Sequence, residues 1–226
     1  MAHRSEPLLT LGRTEQLCLN PFTQQWLDAK GQWTGMDWTK NAMRGIAGLL
    51  DDPYNARQLP LVLDLSKGHA VLFGASGYGK TAFIRTLITS LASTHSPDEF
   101  HAHVLDLGGR NLEVLTALPH VGTVILPDER GYEERVQQLL RELNDIVDAR
   151  KRKFSEAGVA SLFEYNSLGD RPVEPAILVA VDNFAEFMET FGNPNDADDD
   201  NSILAAFVAL ARQAKAYGVH FLITAS

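Results

Sequence analysis

Apolar positions along this chain follow two alternating patterns. Short continuous apolar runs at 69–73, 101–107, 123–126, 176–182 and 220–225 read as strands. Between them lie stretches whose apolar residues recur at helical spacing, predicting helices over 82–91, 111–117, 132–156 and 202–217. The longest carries Val136, Leu139, Leu140, Leu143, Ile146 and Val147 on one stripe. The run from Ala176 to Val181 has no polar interruption and ends in Asp182, the pattern of a strand buried on both faces of a parallel sheet. Strands alternating with helices predict an α/β fold with a mainly parallel sheet sandwiched between helices. No internal repeat is present.

Ahead of this region the pattern is weaker. Residues 1–58 read as an N-terminal arm packing on a 59–226 core, with a short strand at 17–19. Trp26, Trp33 and Trp38 are expected to cover one side of the sheet rather than form a ligand cage. Residues 48–58 read as a turn-rich link, 61–65 as a strand, and Ser66, Lys67 and Gly68 as a hairpin turn into the next strand. The basic stretch 148–153 reads as a solvated helix end that complements the helix dipole. Residues 191–201 carry Asp196, Asp198, Asp199 and Asp200 but not the Asp-x-Asp-x-Asp-Gly register of a calcium loop, so they read as an acidic surface loop.

Composition narrows the function classes. In 226 residues, 45% hydrophobic and 22% charged is ordinary for a globular domain able to bury a core. The formal charge of -9 comes with no basic tail, which counts against a nucleic-acid surface. Cys18 is the single cysteine, so an internal disulfide and a multi-cysteine zinc site are both excluded. No run approaches the ~18–20 apolar residues of a membrane span, and the first residues lack the apolar stretch of a signal peptide. The expectation is a cytoplasmic domain. Residues 223–226 fall inside a predicted strand, which suggests a fragment of a longer protein.

The chemistry concentrates in Gly74-Ala75-Ser76-Gly77-Tyr78-Gly79-Lys80-Thr81, a G-x-x-x-x-G-K-T loop between a predicted strand and a predicted helix. Its glycines let successive backbone N–H groups face phosphate oxygens, and the helix adds its unpaired donors and dipole. Lys80 would meet the β and γ phosphates of ATP as a point charge, and the Thr81 hydroxyl would sit on a magnesium ion. A second acid belongs at the carboxyl end of a buried strand, where Asp182 stands, with a metal-linked role. The next residue is Asn183, an amide that can orient a water but cannot take its proton. Glu186 is the substitute base if it lies on the first turn of the following helix, although a glutamate there also simply favours a helix N-terminus. Ser226 is equally a sensor of the γ-phosphate and an ordinary strand end.

Several stretches then agree with one family. Gly-Leu-Leu-Asp-Asp-Pro at 48–53, the phosphate loop, Leu-Asp-Leu-Gly-Gly at 105–109 and Leu-Pro-His-Val-Gly at 118–122 resemble, in order, the FtsK/SpoIIIE family of P-loop motors. So do the strand 177–187 and Gly-Val-His-Phe-Leu-Ile-Thr-Ala-Ser at 218–226, and the whole is most similar to the EccC/EssC-type ATPase modules of type VII secretion. The resemblance implies a RecA-like core, ATP and magnesium, and sibling ATPase modules as partners. It further implies ring or chain assembly and a polypeptide or DNA substrate, a polypeptide being for instance an exported protein's signal segment, with action at the inner face of a membrane as part of a longer anchored protein. Lys80, Thr81 and Asp182 match the family's functional positions. Asn183 departs from the usual Asp-Glu pair, and Ser226 replaces the Gln frequent in DNA translocases. The expectation is therefore an ATP-binding secretion module with weak hydrolysis. Its rivals are a non-hydrolysing regulatory or docking module, a DNA translocase and, last, a small-molecule kinase. Arg212, Lys215 and the 150–152 cluster are the candidates for an arginine finger acting in trans.

Overall fold

The computed structural model describes residues 38–39, 42–192 and 202–226. Five strands form a parallel sheet in the order β3 (Ala70–Phe73), β7 (Val219–Ala225), β6 (Ala176–Asp182), β4 (Phe100–Asp106) and β5 (Val121–Ile125). All seven residues of β6 are buried, as its unbroken apolar run demands of a central strand covered on both faces. Its side chains alternate. Ala176, Leu178 and Ala180 face one core with Ile84, Leu87, Ile88 and Leu91 of α1 (Lys80–Ala92). Ile177, Val179 and Val181 face the other, built from α2 (Tyr132–Ala157), α4 (Phe184–Phe191) and α5 (Ile203–Ala214). A short helix, α3 (Leu162–Ser167), completes the first layer, with Leu162 and Tyr165 buried. Each fully buried Leu or Ile in these layers contributes about 1.5–3 kcal/mol.

A separate two-stranded sheet lies against α1. In it β1 (Arg44–Asp52) pairs antiparallel with β2 (Arg57–Asp64). The segment expected as a turn-rich link at 48–58 is therefore strand, turn and strand. Pro53–Asn55 makes the single 3-10 turn, and the Asp52 carboxylate seals it by accepting from Asn55 Nδ2 and Arg57 Nε, both at 2.9 Å. Residues 65–67 do not form a hairpin turn either. They are a 3-10 turn that carries the chain from one sheet to the other, since β2 pairs with β1 and β3 pairs with β7. The expected arm–core boundary at 58/59 falls inside β2.

The hairpin docks by a close approach. A Cβ on Gly45 would lie 2.5 Å from Leu87 Cδ1, so glycine lets β1 lie on α1 without displacing that leucine. Ile46 N–H donates to Ser90 Oγ at 2.8 Å and Met43 N–H to His95 Nε2 at 3.1 Å. Trp38 is buried with its ring 6.3 Å from that of Phe163, in keeping with a packing role. Trp26, Trp33, the strand expected at 17–19 and residues 193–201 of the acidic loop lie outside the described residues.

The basic stretch of α2 departs from expectation. Gly158 caps that helix, so residues 148–153 precede its last turn. Arg150 is buried rather than solvated, and donates to Pro175 O at 2.6 Å and Tyr217 O at 2.7 Å. Pro175 immediately precedes β6 and Tyr217 lies two residues before β7, so the arginine ties the amino ends of two strands together. It is committed there and is removed from the candidates for a finger. Arg152, Arg212 and Lys215 are exposed.

Candidate functional site

Because the sheet is parallel, β3, β7, β6 and β4 all end at one edge, and the loops leaving them converge there. Beyond Phe73 the β3–β7 ladder continues for one more bond, Gly74 N–H to Ala225 O at 3.2 Å. The chain then turns through Gly77 (φ 82°) and Gly79 (φ 83°), left-handed conformations that other residues adopt at a cost of about 1–2 kcal/mol. Helix α1 starts at Lys80, with Phe83 N–H donating to Gly79 O at 2.8 Å.

The Lys80 ammonium folds back over the loop. It donates to Gly74 O, to Ala75 O at 3.0 Å and to Ser226 Oγ at 3.3 Å. No carboxylate pairs with it among the described residues, so its charge is left for an anion. Thr81 Oγ1 donates to Asp182 Oδ2 at 2.6 Å, joining the start of α1 to the end of β6. Asp182 is buried, and its other oxygen accepts from Thr224 Oγ1 at 2.6 Å. Thr224 in turn accepts from Asn183 N–H at 2.9 Å. Asn183 has φ 64° and opens α4 without a side-chain cap bond.

Gly108, beyond β4, leaves the carboxylate its room: a Cβ there would come within 3.1 Å of Asp182 Oδ2. Asp106 is paired in register with Asp182 across the β4–β6 ladder. It is fully buried and accepts from Leu112 N–H at 2.8 Å. Burial pushes its carboxyl above the ordinary range, the Leu112 amide opposes this, and the charge of Asp182 adds to the rise.

These groups enclose an open cavity of about 390 Å³. Ser76, Gly77, Gly79, Lys80 and Thr81 line one wall, and Gly108, Asp182, Asn183 and Ser226 the other. Gly74, Ala75 and Tyr78 lie instead along a neighbouring cavity of about 290 Å³, beside Phe73 and Phe83. Glu186 is on the first turn of α4, its N–H donating to Asn183 O at 3.1 Å, and its side chain is half-buried and lines neither cavity. The structure thus brings Lys80, Thr81, Asp182 and Asn183 together and leaves Glu186 outside. Thr224, Gly108 and Asp106 were not among the expected site residues.

The donor chemistry fits a nucleotide with a hard cation. A hydroxyl and a carboxylate oxygen lie side by side at the cavity, next to an ammonium without an acidic partner. No group of three His, Cys, Asp or Glu side chains able to hold a metal occurs among the described residues. An ion held by Thr81 and Asp182 would complete its shell with phosphate and water oxygens, as magnesium characteristically does.

The FtsK/SpoIIIE family model matches residues 33–226. The chain belongs to the FtsK/SpoIIIE family. It is 36% identical over 152 residues to the type VII secretion system protein EssC of Staphylococcus aureus, covering 65% of this chain and 10% of EssC. It is 32% identical over 197 residues to the ESX-1 secretion system protein EccCb1 of Mycolicibacterium smegmatis, covering 83% of this chain and 31% of that protein. The chain therefore spans about a tenth to a third of the length of these relatives. Among solved structures it is similar to ATPases 2 and 3 of Thermomonospora curvata EccC in complex with a signal sequence peptide (TM-score 0.68, 30% identity, 81% of this chain, 32% of that one). ATPases 2 and 3 of Geobacillus thermodenitrificans EssC match with TM-score 0.68 at 27% identity, over 81% of this chain and 33% of that one. The parallel sheet flanked by helices is the RecA-like P-loop ATPase fold of these neighbours, and the chain is homologous to ATPase domains of type VII secretion proteins.

Proposed function

We propose that this chain is an ATP-binding module of a type VII secretion translocase, with the five-stranded sheet and its helices as the ATPase core and the β1–β2 hairpin docked on α1. It works beside sibling ATPase modules at the cytoplasmic face of the membrane. The observation that carries the reading is the 2.6 Å bond from Thr81 Oγ1 to Asp182 Oδ2, which joins the phosphate loop to the strand-end acid beside an unpaired Lys80. Magnesium–ATP, when bound, supplies the γ-phosphoryl group and the cation that neutralises its charge. The loop amides from Gly74 to Thr81, together with the Lys80 ammonium, would hold the phosphates. That ammonium rests on the Gly74 and Ala75 carbonyls of its own loop, and Lys80 lines the cavity. Thr81 and Asp182 would hold the ion.

Turnover by this site is slow. Asn183 stands where a base is expected and has no basic lone pair, so it orients a water without accepting its proton. Glu186 lies outside the cavity and offers no direct replacement. Slow hydrolysis, gating contacts between modules, is the reading we favour. The complex of Thermomonospora curvata EccC with a signal sequence peptide supports a polypeptide as the ultimate cargo. The test is steady-state ATP turnover of the chain beside Asn183→Glu. Slow turnover that rises in Asn183→Glu supports the reading, whereas fast turnover in the unmodified chain that Asn183→Glu does not raise overturns it.

A further inference from the structure

Two hydroxyls stand two residues apart at the carboxyl end of β7, Thr224 within the strand and Ser226 just beyond it. Ser226 accepts from Lys80, on the phosphate side of the cavity, and Thr224 engages Asp182, on the ion side. Thr224 is fully buried, and its hydroxyl uses both its capacities: it donates to Asp182 Oδ1 at 2.6 Å and accepts from Asn183 N–H at 2.9 Å. The Asp182 carboxylate thus receives one hydroxyl on each oxygen, Thr224 on Oδ1 and Thr81 on Oδ2. A carboxylate on its own turns about a broad, two-fold torsion. Holding Oδ1 from behind leaves Oδ2 aimed at Thr81 and the cavity.

The second bond acts on the backbone. Asn183 sits at φ 64°, ψ 67°, the left-handed region that asparagine enters more readily than most residues with a side chain. Its own side chain makes no cap bond that would account for the turn. The Thr224 hydroxyl is what holds its N–H, and this turn sets where α4 leaves β6. A threonine inside an apolar strand is ordinarily a β-branched filler, and valine would fill the same space. Two bonds of opposite sense, to adjacent residues of a neighbouring strand end, are more than filling requires.

We propose that Thr224 is a positioning residue for the nucleotide–metal site, which aims the Asp182 carboxylate and locks the Asn183 turn. The proposal rests on the reading of the site as one for magnesium–ATP. Like other residues that orient a metal ligand, it is expected to be worth about 10–100-fold in metal affinity.

The experiment is ATP binding by the unmodified chain, Thr224→Val and Thr224→Ser, each titrated with magnesium and each also measured in EDTA, with thermal unfolding recorded alongside. Thr224→Val should keep the EDTA affinity, which depends on Lys80 and the loop. It should need about 10–100-fold more magnesium for the same enhancement, and Thr224→Ser should restore the unmodified behaviour. A folded Thr224→Val with an unchanged magnesium requirement overturns the proposal while leaving the nucleotide site intact. An unmodified chain that binds no ATP removes the functional reading itself. Amide hydrogen exchange at Asn183 in the nucleotide-free chain reads the same hydroxyl independently, including if Thr224→Val does not fold. Protection that persists in Thr224→Ser supports the hold, and exchange at the rate of an open loop amide overturns it.

Discussion

His95 links the hairpin to the helix that carries the phosphate loop, and its protonation state can be read from its neighbours. Its Nδ1 lies 3.0 Å from Leu91 O, a carbonyl that only accepts, so Nδ1 bears the proton. Its Nε2 then accepts from Met43 N–H at 3.1 Å, just before β1. A second proton on this ring would face an amide donor, and the ring is buried. Burial, opposed by the Leu91 carbonyl and aided by nearby His120, lowers its pKa to about 4. In the unfolded chain the value returns to about 6.5.

Stability from this group is therefore complete above pH 6.5, falls as pH drops toward 4, and falls no further once both states are protonated. The slope is at most roughly 1.4 kcal/mol per pH unit and the total loss roughly 3 kcal/mol. His103 and His220 are also held near 4, mainly by burial, so the unmodified protein's slope has several contributions. Comparison with His95→Gln isolates one of them. Urea unfolding between pH 4.5 and pH 7.5 should show His95→Gln less stable at the upper end by about 1–3 kcal/mol, the cost of disturbing a buried amide's partner. The gap should narrow toward pH 4.5 with a difference slope of about one proton. Parallel curves across that range would refute the assignment of a neutral, hydrogen-bonded His95.

Two further outcomes follow from packing at opposite edges of the sheet. Gly108→Ala puts a Cβ 3.1 Å from Asp182 Oδ2, so it should weaken magnesium-dependent ATP binding and leave binding in EDTA unchanged, as measured by titration calorimetry. Arg150→Met strands the Pro175 and Tyr217 carbonyls and leaves Glu174 with Lys153 alone, and should cost about 3 kcal/mol in urea unfolding with no change in ATP affinity.

The parts of this structure that were legible in the sequence are those where one residue type admits one explanation. The glycines of the loop are needed where φ is positive, and the short, β-branched apolar run of β6 matches a strand covered on both faces. The hairpin was harder to see. Gly45, Gly48, Asp51, Asp52 and Pro60 interrupt its alternation, and it is held less by its own pattern than by its dock on α1. Helix α4 follows Asp182 after a single residue, so its Phe184 and Phe187 read as the tail of the strand motif and its Phe191 as the start of the acidic loop, although their spacing is helical. Arg150 lay in a run of like charges, and nothing local distinguishes the one side chain that turns inward to bind carbonyls. Thr224 was the least visible of all. In sequence it is one more β-branched residue in an apolar strand, and its partners lie 41 and 42 positions away.

The central claim is that Lys80 completes an ATP site on this chain. Equilibrium binding of ATP in magnesium, by the unmodified chain and by Lys80→Ala, tests it most directly. The account predicts saturable binding that Lys80→Ala weakens by roughly tenfold or more, the loss of a charged hydrogen bond worth about 1.5–3 kcal/mol. Absence of binding by the unmodified chain, or equal affinity in Lys80→Ala, would contradict it.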